Sequence, residues 1–366
     1  MLPTPYEGIR AYDISGEALE RLPQFPMKLN NTNDLLLLAK PLFKNIVWGA
    51  ESIAIDARDG SLLMLDKFGG MHKASASHEI ETSVGYIGPG RPLGYHFMEE
   101  GRALVVCDSL KGLLHVDLAM DNRVTMLDNR VTYCNDVDVA ADGTIYYSSA
   151  TAGTVRRNKE GFYDTMHSFM LTMFSGEKSG RLLQWKDDGT IDSLMEGLWF
   201  ANGVAVHHDQ QSVLVVETIG ARVLRRWVAG PKVGKTEVFI DKLPAFPDGI
   251  SRGSDGTYWL CLVAPPSPLL NILRYFGPRA RTIIAHILTS DIVQQYKHLF
   301  LRKFAMVMRL SSEGEVVDEL MDVTGERVFT VSAAEEYNGK LYLGNLEGDF
   351  VSVLDLTEVQ KTRASR

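Results

Sequence analysis

Apolar and polar positions alternate with a period of two in six separate stretches, each broken by a polar turn and followed by a second strand-like run. They are Ser52–Leu65 (SIAIDARDGSLLML), Pro92–Val106 (PLGYHFMEEGRALVV), Asp136–Ser149 (DVDVAADGTIYYSS), Gly203–Val216, Gly249–Leu262 and Val331–Gly344. Alternation leading into Asp-Gly or Asn-Gly and then a β-branched or aromatic run is a hairpin pattern. The starts at 52, 92, 136, 203, 249 and 331 are spaced by 40, 44, 67, 46 and 82 residues. The shorter spacings suit a four-stranded blade of about 40–45 residues, and the two long ones mark insertions. Six such sheets arranged radially remove exposed edges. The pattern therefore predicts an all-β, six-bladed β-propeller with a helical insertion.

The insertions fall near 153–179 and 265–304. The first is rich in Met and Phe and bounded by Gly. In the second the apolar residues adopt helical spacing, at Ile283, Ile284, Ile287 and Leu288 and then at Ile292, Tyr296, Leu299 and Phe300, with Ser290 or Asp291 as a cap for a second short helix. It is expected over one end of the propeller, as a lid or a packing element. Residues 1–47, with Pro3, Pro5, Pro23, Pro26 and Pro41, read as an irregular strap leading into a propeller over 48–366.

The chain has 366 residues, 45% of them hydrophobic, which excludes disorder and disulfide-stapled miniproteins. Its formal charge of −8 speaks against a nucleic-acid partner. Cys107, Cys134 and Cys261 form no CxxC pair and are expected as reduced, buried thiols. Neither a signal peptide nor a transmembrane run is evident, so a cytoplasmic location is expected. No G-x-S-x-G elbow or phosphate-binding glycine motif occurs.

Aligning the six copies exposes the residue just before each inner strand: Glu51, Arg91, Asn135, Asn202, Asp248 and Thr330. Inner strands line the channel of a propeller, so these positions should form a ring. Four of them carry carboxylate or amide oxygens, the donors a hard divalent cation such as Ca2+ prefers. Turn propensity of Asn and Asp gives the same residues without a metal.

Gly49–Ser52, Gly90–Gly94, Asp108–Asp117, Asn135–Val137, Phe200–Val204, Val216–Trp227, Leu243–Ile250 and Glu336–Gly344 together resemble the strictosidine-synthase-like family, most of all its adipocyte plasma membrane-associated branch. The resemblance spans roughly residues 48–356. It implies a six-bladed propeller related to gluconolactonase/regucalcin, the paraoxonases and diisopropylfluorophosphatase, with calcium held by Glu51, Asn135, Asn202 and Asp248. The chain departs from the synthases at Phe329–Ser332, where no acid stands in place of their catalytic glutamate, and it lacks the paraoxonase histidine pair. The expected activity is calcium-dependent hydrolysis of lactones or activated aryl esters with an apolar small-molecule substrate. Asp248 and then Glu51 are the catalytic candidates, and Arg91, Thr330 and His96 are candidate substrate contacts. The alternatives are a natural-product condensation or cyclisation, or a non-enzymatic propeller with structural calcium.

Overall fold

The computed structural model describes residues 11–29, 32–268, 270–287 and 303–365. The lead-in contributes helix α1 (Gly16–Arg21) and strand β1 (Lys40–Leu42). Blade one follows as β2 (Ala54–Ile55), β3 (Leu62–Leu65), β4 (Gly70–Ala74) and β5 (Ile80–Tyr86). Blade two is β6 (Pro92–Met98), β7 (Ala103–Asp108), β8 (Gly112–Asp117) and β9 (Arg123–Asp128). Blade three begins with β10 (Cys134–Val139) and β11 (Ile145–Ser149). It is interrupted by a small hairpin, β12 (Arg156–Arg157) and β13 (Tyr163–Asp164), and by helix α2 (Thr165–Ser175), then resumes as β14 (Gly180–Trp185) and β15 (Ile191–Leu198). Blade four is β16 (Ala201–Val206), β17 (Ser212–Glu217), β18 (Arg222–Trp227) and β19 (Thr236–Ile240).

Blade five opens with β20 (Phe246–Arg252) and β21 (Tyr258–Ala264). Helices α3 (Leu270–Tyr275) and α4 (Pro278–Ile287) intervene before β22 (Ala305–Leu310) and β23 (Val316–Asp322). Blade six has β24 (Val331–Tyr337), β25 (Lys340–Asn345) and β26 (Val351–Asp355), and helix α5 (Leu356–Ala364) ends the chain. Its outermost strand is β1, which pairs with β26 through Lys40↔Val353 and Leu42↔Val351. The strap is thus not wholly irregular: it closes the ring by completing the last blade. Pro41 is tolerated there because an outer strand needs no donor on its free edge.

The hairpin turns explain the sequence pattern. Gly143 and Gly339 sit at φ of 88° and 71°, where a side chain would be strained. The second strands are buried on both faces, so β7 and β17 are buried at every position and read as continuous apolar runs. The apolar core is accordingly divided into wedges between neighbouring blades. Leu104, Val106 and Tyr95 meet Leu63 and Leu65 between blades one and two, and Leu214 and Val216 meet Leu260 and Met306 between blades four and five.

A further cluster covers one end, formed by Met170, Met173 and Phe174 of α2, Leu273 of α3, Ala285 of α4 and Ala18 of α1, against Phe200 and Phe246. Both insertions leave from the ends of second strands, so they lie at the same end of the propeller as the starts of the inner strands. The first insertion holds a helix that its sequence did not announce. Asp164 caps it by accepting from Met166 N at 2.9 Å, and Gly176 ends it at φ 69°. Arg281, almost fully buried on α4, donates to Phe174 O at 2.8 Å and to Tyr12 O, tying α4, α2 and the lead-in together. The helical spacing through Ile283, Ile284 and Ile287 is realised in α4, whereas Leu288, the cap candidates Ser290 and Asp291, and Ile292, Tyr296, Leu299 and Phe300 lie outside the described residues.

Two of the cysteines are not thiols. Cys107 of β7 and Cys134 of β10 form a disulfide joining blades two and three, while Cys261 is free and buried. Spacing along the chain hid this pair, because the two strands become neighbours only when the blades stack.

Candidate functional site

Five of the six inner strands carry a local irregularity close to their ring position. The pairing register shifts between Cys134 and Val137, Ala201 and Val204, Pro247 and Ile250, Val331 and Ala334, and Pro92 and Tyr95. An extra residue in one strand turns a side chain away from its alternating course. Asn135, Asn202 and Asp248 lie inside three of these shifts, at the same phase of three successive blades.

Glu51, Asn135, Asn202, Asp248 and Thr330 line one cavity. Its remaining wall is largely apolar: Met166, Phe169, Met170 and Met173 of α2, with Phe200, Phe246 and Val263. Phe169 packs edge-on against both Phe200 and Phe246, at ring separations of 5.3 and 5.9 Å. A polar cluster therefore meets a greasy chamber roofed by the first insertion.

Three buried oxygens in this cluster lack any hydrogen-bond partner: Glu51 Oε2, Asn135 Oδ1 and Asp248 Oδ2. Buried acceptors are ordinarily satisfied, and each orphan costs about 1–3 kcal/mol. Asn202 Nδ2 donates to Thr218 Oγ1 at 3.1 Å and to Asp248 Oδ1, which fixes that carboxylate in place. Burial pushes the Asp248 carboxyl up to about 7, against the opposing pull of Asn202 and the Arg91 charge. Glu51 is pushed well above the usual carboxylate range by burial and then by the nearby Asp248 charge. Two desolvated acids that repel one another, with amide oxygens beside them, form a donor set that a hard dication satisfies and a proton only partly does. Among the described residues no three His, Cys, Asp or Glu side chains are placed to hold a metal ion by themselves, so the set depends on its amides as well as its acids.

The other sequence candidates are placed differently. Thr330 lines the same cavity and donates from Oγ1 to Asn345 Oδ1 at 3.0 Å. Arg91 is 1% exposed and lines neither this cavity nor the one below, donating to Leu346 O at 3.0 Å while its positive charge favours the ionised forms of Glu51 and Asp248. His96 belongs to a second, more polar cavity that continues along the channel from Glu51, Asn135 and Asn202.

Sequence reading missed Tyr133, Thr165 and Thr218 in the upper wall and the acids Asp136 and Glu335 below. Asp136 follows Asn135 directly, and the Asn-Asp-Val-Asp run was a signal for it. Asp136 Oδ2 accepts from Val204 N at 2.8 Å and Asp138 Oδ2 from Val206 N at 2.7 Å, so blade three grips the inner strand that carries Asn202.

Glu335 shows the cost of the lower acids. Burial first, then the charges of Asp138 and Asp136, push its carboxyl up to about 8, although Arg252 opposes them. Its partial exposure is toward the internal cavity. A folded-state value above the unfolded one of about 4.5 favours the fold only while the group is protonated. Below pH 4.5 both states are protonated and nothing is lost, while above pH 8 the ionised form is buried at full cost. Glu335→Gln is therefore expected to leave stability unchanged near pH 4 and to raise it by about 1–3 kcal/mol near pH 9. Urea melts at the two pH values check this, and an equal change at both would contradict it.

The fold and site define a six-bladed propeller carrying an oxygen-rich axial cluster under an apolar chamber. Residues 135–231 match the strictosidine synthase family model. The chain is 30% identical over 348 residues to an adipocyte plasma membrane-associated protein of Salmo salar, covering 88% of this chain and 79% of the relative. Among solved structures it is similar to a gluconolactonase of Xanthomonas campestris, with a TM-score of 0.59 and 14% identity over 87% of this chain and 89% of that one. It is also similar to a calcium-binding protein, regucalcin, of Agrobacterium tumefaciens, with a TM-score of 0.56 and 12% identity over 87% and 93% of the two chains. At those identities the structures show a shared fold.

The chain belongs to the strictosidine-synthase-like family, and adipocyte plasma membrane-associated proteins are among its relatives. This overturns the cytoplasmic location expected from the sequence, since these relatives are membrane-associated by name. The disulfide points the same way, because such bonds persist in oxidising compartments. Among the described residues no helix is long and apolar enough to cross a membrane.

Proposed function

We propose that the chain is a calcium-dependent hydrolase of apolar lactones or activated aryl esters, with the ion held by Glu51, Asn135, Asn202 and Asp248. The observation that carries this reading is the set of three partnerless oxygens at the polar end of an otherwise apolar cavity. The named relatives support it: one similar structure is a gluconolactonase and another a calcium-binding protein. Bound there, calcium would supply a Lewis acid that polarises a carbonyl oxygen and stabilises the charge developing on it.

The chain's own residues do the rest. Asp248, at the polar end of the cavity and held by Asn202, is the residue placed to accept the proton of the attacking water, and Glu51 is second in line for that role. Asn202 holds the Asp248 carboxylate in one orientation. Phe169, Phe200, Phe246 and the α2 methionines exclude bulk water and give the acyl part of the substrate an apolar seat. The stretch Phe329–Ser332, where the synthases it resembles carry their catalytic glutamate, offers no acid for a condensation of their type.

Exhaustive treatment with a calcium chelator is expected to abolish turnover of an aryl-ester and lactone panel and to lower the melting temperature, with calcium restoring both. Hydrolysis that persists in protein verified metal-free by elemental analysis would sink this reading.

A further inference from the structure

The oxygen donors of the ring are positioned by different means. Asn202 is tied through Nδ2 to Thr218 and Asp248, and Asp248 is fixed by Asn202 in return. Ser332 grips the backbone of Glu51, donating from Oγ to Glu51 O at 2.7 Å. Asn135 Oδ1 is buried with no hydrogen-bond partner, so its place depends on the backbone that carries it. That backbone lies in the register shift between Cys134 and Val137, where the regular pairing with β11 is interrupted. Beyond Asn135 the chain is pinned again at once, Asp136 N donating to Ser148 Oγ at 3.0 Å.

Before Asn135 stands Cys134, and its bond to Cys107 sets this donor apart. Ala50, Ala201 and Pro247 precede Glu51, Asn202 and Asp248, so no other donor follows a cross-linked residue. The bond joins β10 to β7, and both cysteines are wholly buried. Cys107 Sγ also lies 3.4 Å from Asp136 O, so the bridge touches the chain on both sides of Asn135. Blade two supplies no oxygen to the ring, since its ring position is Arg91, which lines neither cavity. Its contribution to the site is this tether. Calcium–oxygen distances of about 2.3–2.6 Å leave little room for a ligand that wanders. Stabilisation against unfolding depends on the loop closed, here between residues 27 apart, and not on where the bond lies relative to the ring. Placement directly before Asn135 is what a positioning role requires.

We infer that Cys107 and Cys134 are positioning residues for the ring: their bond anchors Asn135 against blade two and holds its Oδ1 toward the axis. The inference rests on the ligand set of the hydrolase reading, and it makes calcium affinity sensitive to the redox state of the pair. By linkage the reverse also holds, bound calcium protecting the bond against reduction.

The test compares calorimetric calcium titrations of the wild type and of Cys107→Ala combined with Cys134→Val, which refills part of the space left by the sulfurs. The variant is expected to bind calcium about 10–100-fold more weakly, the usual cost of losing a group that orients a metal ligand. In the calcium-free state its amide exchange should quicken around residues 134–137. Wild-type protein reduced with dithiothreitol gives the second measurement: two electrons and two protons pass from the reagent's thiols to the bond, and the reagent closes into its cyclic disulfide. Reduced protein that keeps its circular dichroism spectrum should show the same loss of affinity. Val359→Ala, at a buried position in the C-terminal helix outside both cavities, is the control: it should melt earlier yet bind calcium as the wild type does. If either form lacking the bond, while folded, binds calcium as tightly as intact protein, the inference is overturned and the hydrolase reading stands. Unfolding of both forms also overturns it, because the pair then serves the fold as a whole. A wild type that takes up no calcium sinks the hydrolase reading and the inference with it.

Discussion

Asp248→Ala is expected to reduce ester and lactone hydrolysis by about 10²–10³-fold or more, the range seen when a group that stabilises developing charge is removed, and to abolish calcium binding in a calorimetric titration. The same change is expected to raise the stability of the calcium-free protein. In that state Asp248 is a buried acid whose Oδ2 lacks a partner and whose charge also pushes up Glu51. Deleting it removes both penalties at the cost of a small void and one lost acceptor for Asn202, which keeps Thr218. Activity and stability should thus move in opposite directions. Asp248→Asn separates the roles further: it keeps an oxygen in place but supplies neither charge nor base, so calcium affinity should fall while turnover is lost. A variant that keeps wild-type turnover, or one that is inactive only because it no longer folds, would contradict this assignment.

The architecture was legible in the chain because each blade carries the same hairpin, and the turns need glycine at left-handed angles, as at Gly143 and Gly339. The ring was legible for a related reason. Equivalent residues of a repeat occupy equivalent places around an axis, so Asn135, Asn202 and Asp248 could be paired by phase alone. Depth along the channel was not legible. Arg91 and His96 share the neighbourhood of the ring, yet one lines neither cavity and the other faces the lower one. The register shifts that decide which side chain reaches the axis leave no mark in an alternating pattern, since the extra residue looks like any other. Contacts between blades were hidden for the same reason as the Cys107–Cys134 bond: the partners come from different repeats.

One consequence of that stacking can be read near the axis, where Asn202 and Asp248 are each followed by glycine. A Cβ at Gly249 would lie 2.3 Å from Ser332 O, and one at Gly203 would lie 2.6 Å from Asp248 O. Both obstacles are backbone atoms, which cannot swing away. Ser332 in turn donates from Oγ to Glu51 O at 2.7 Å, so the neighbour that Gly249 touches also positions the other acid. Gly249→Ala therefore must push blade six outward and carry Glu51 with it. Its expected effect is a loss of about 2–3 kcal/mol of stability, the upper part of the range for overpacking, together with a clear weakening of calcium affinity. Gly16→Ala is the control, because nothing lies within 4 Å of its Cβ at the start of α1. That variant should match the wild type or exceed it by up to about 1 kcal/mol. Urea melts and calcium titrations of both proteins decide the matter. If Gly249→Ala unfolds and binds calcium as the wild type does, the inner strands of blades five and six are not in the contact that holds Glu51 opposite Asp248.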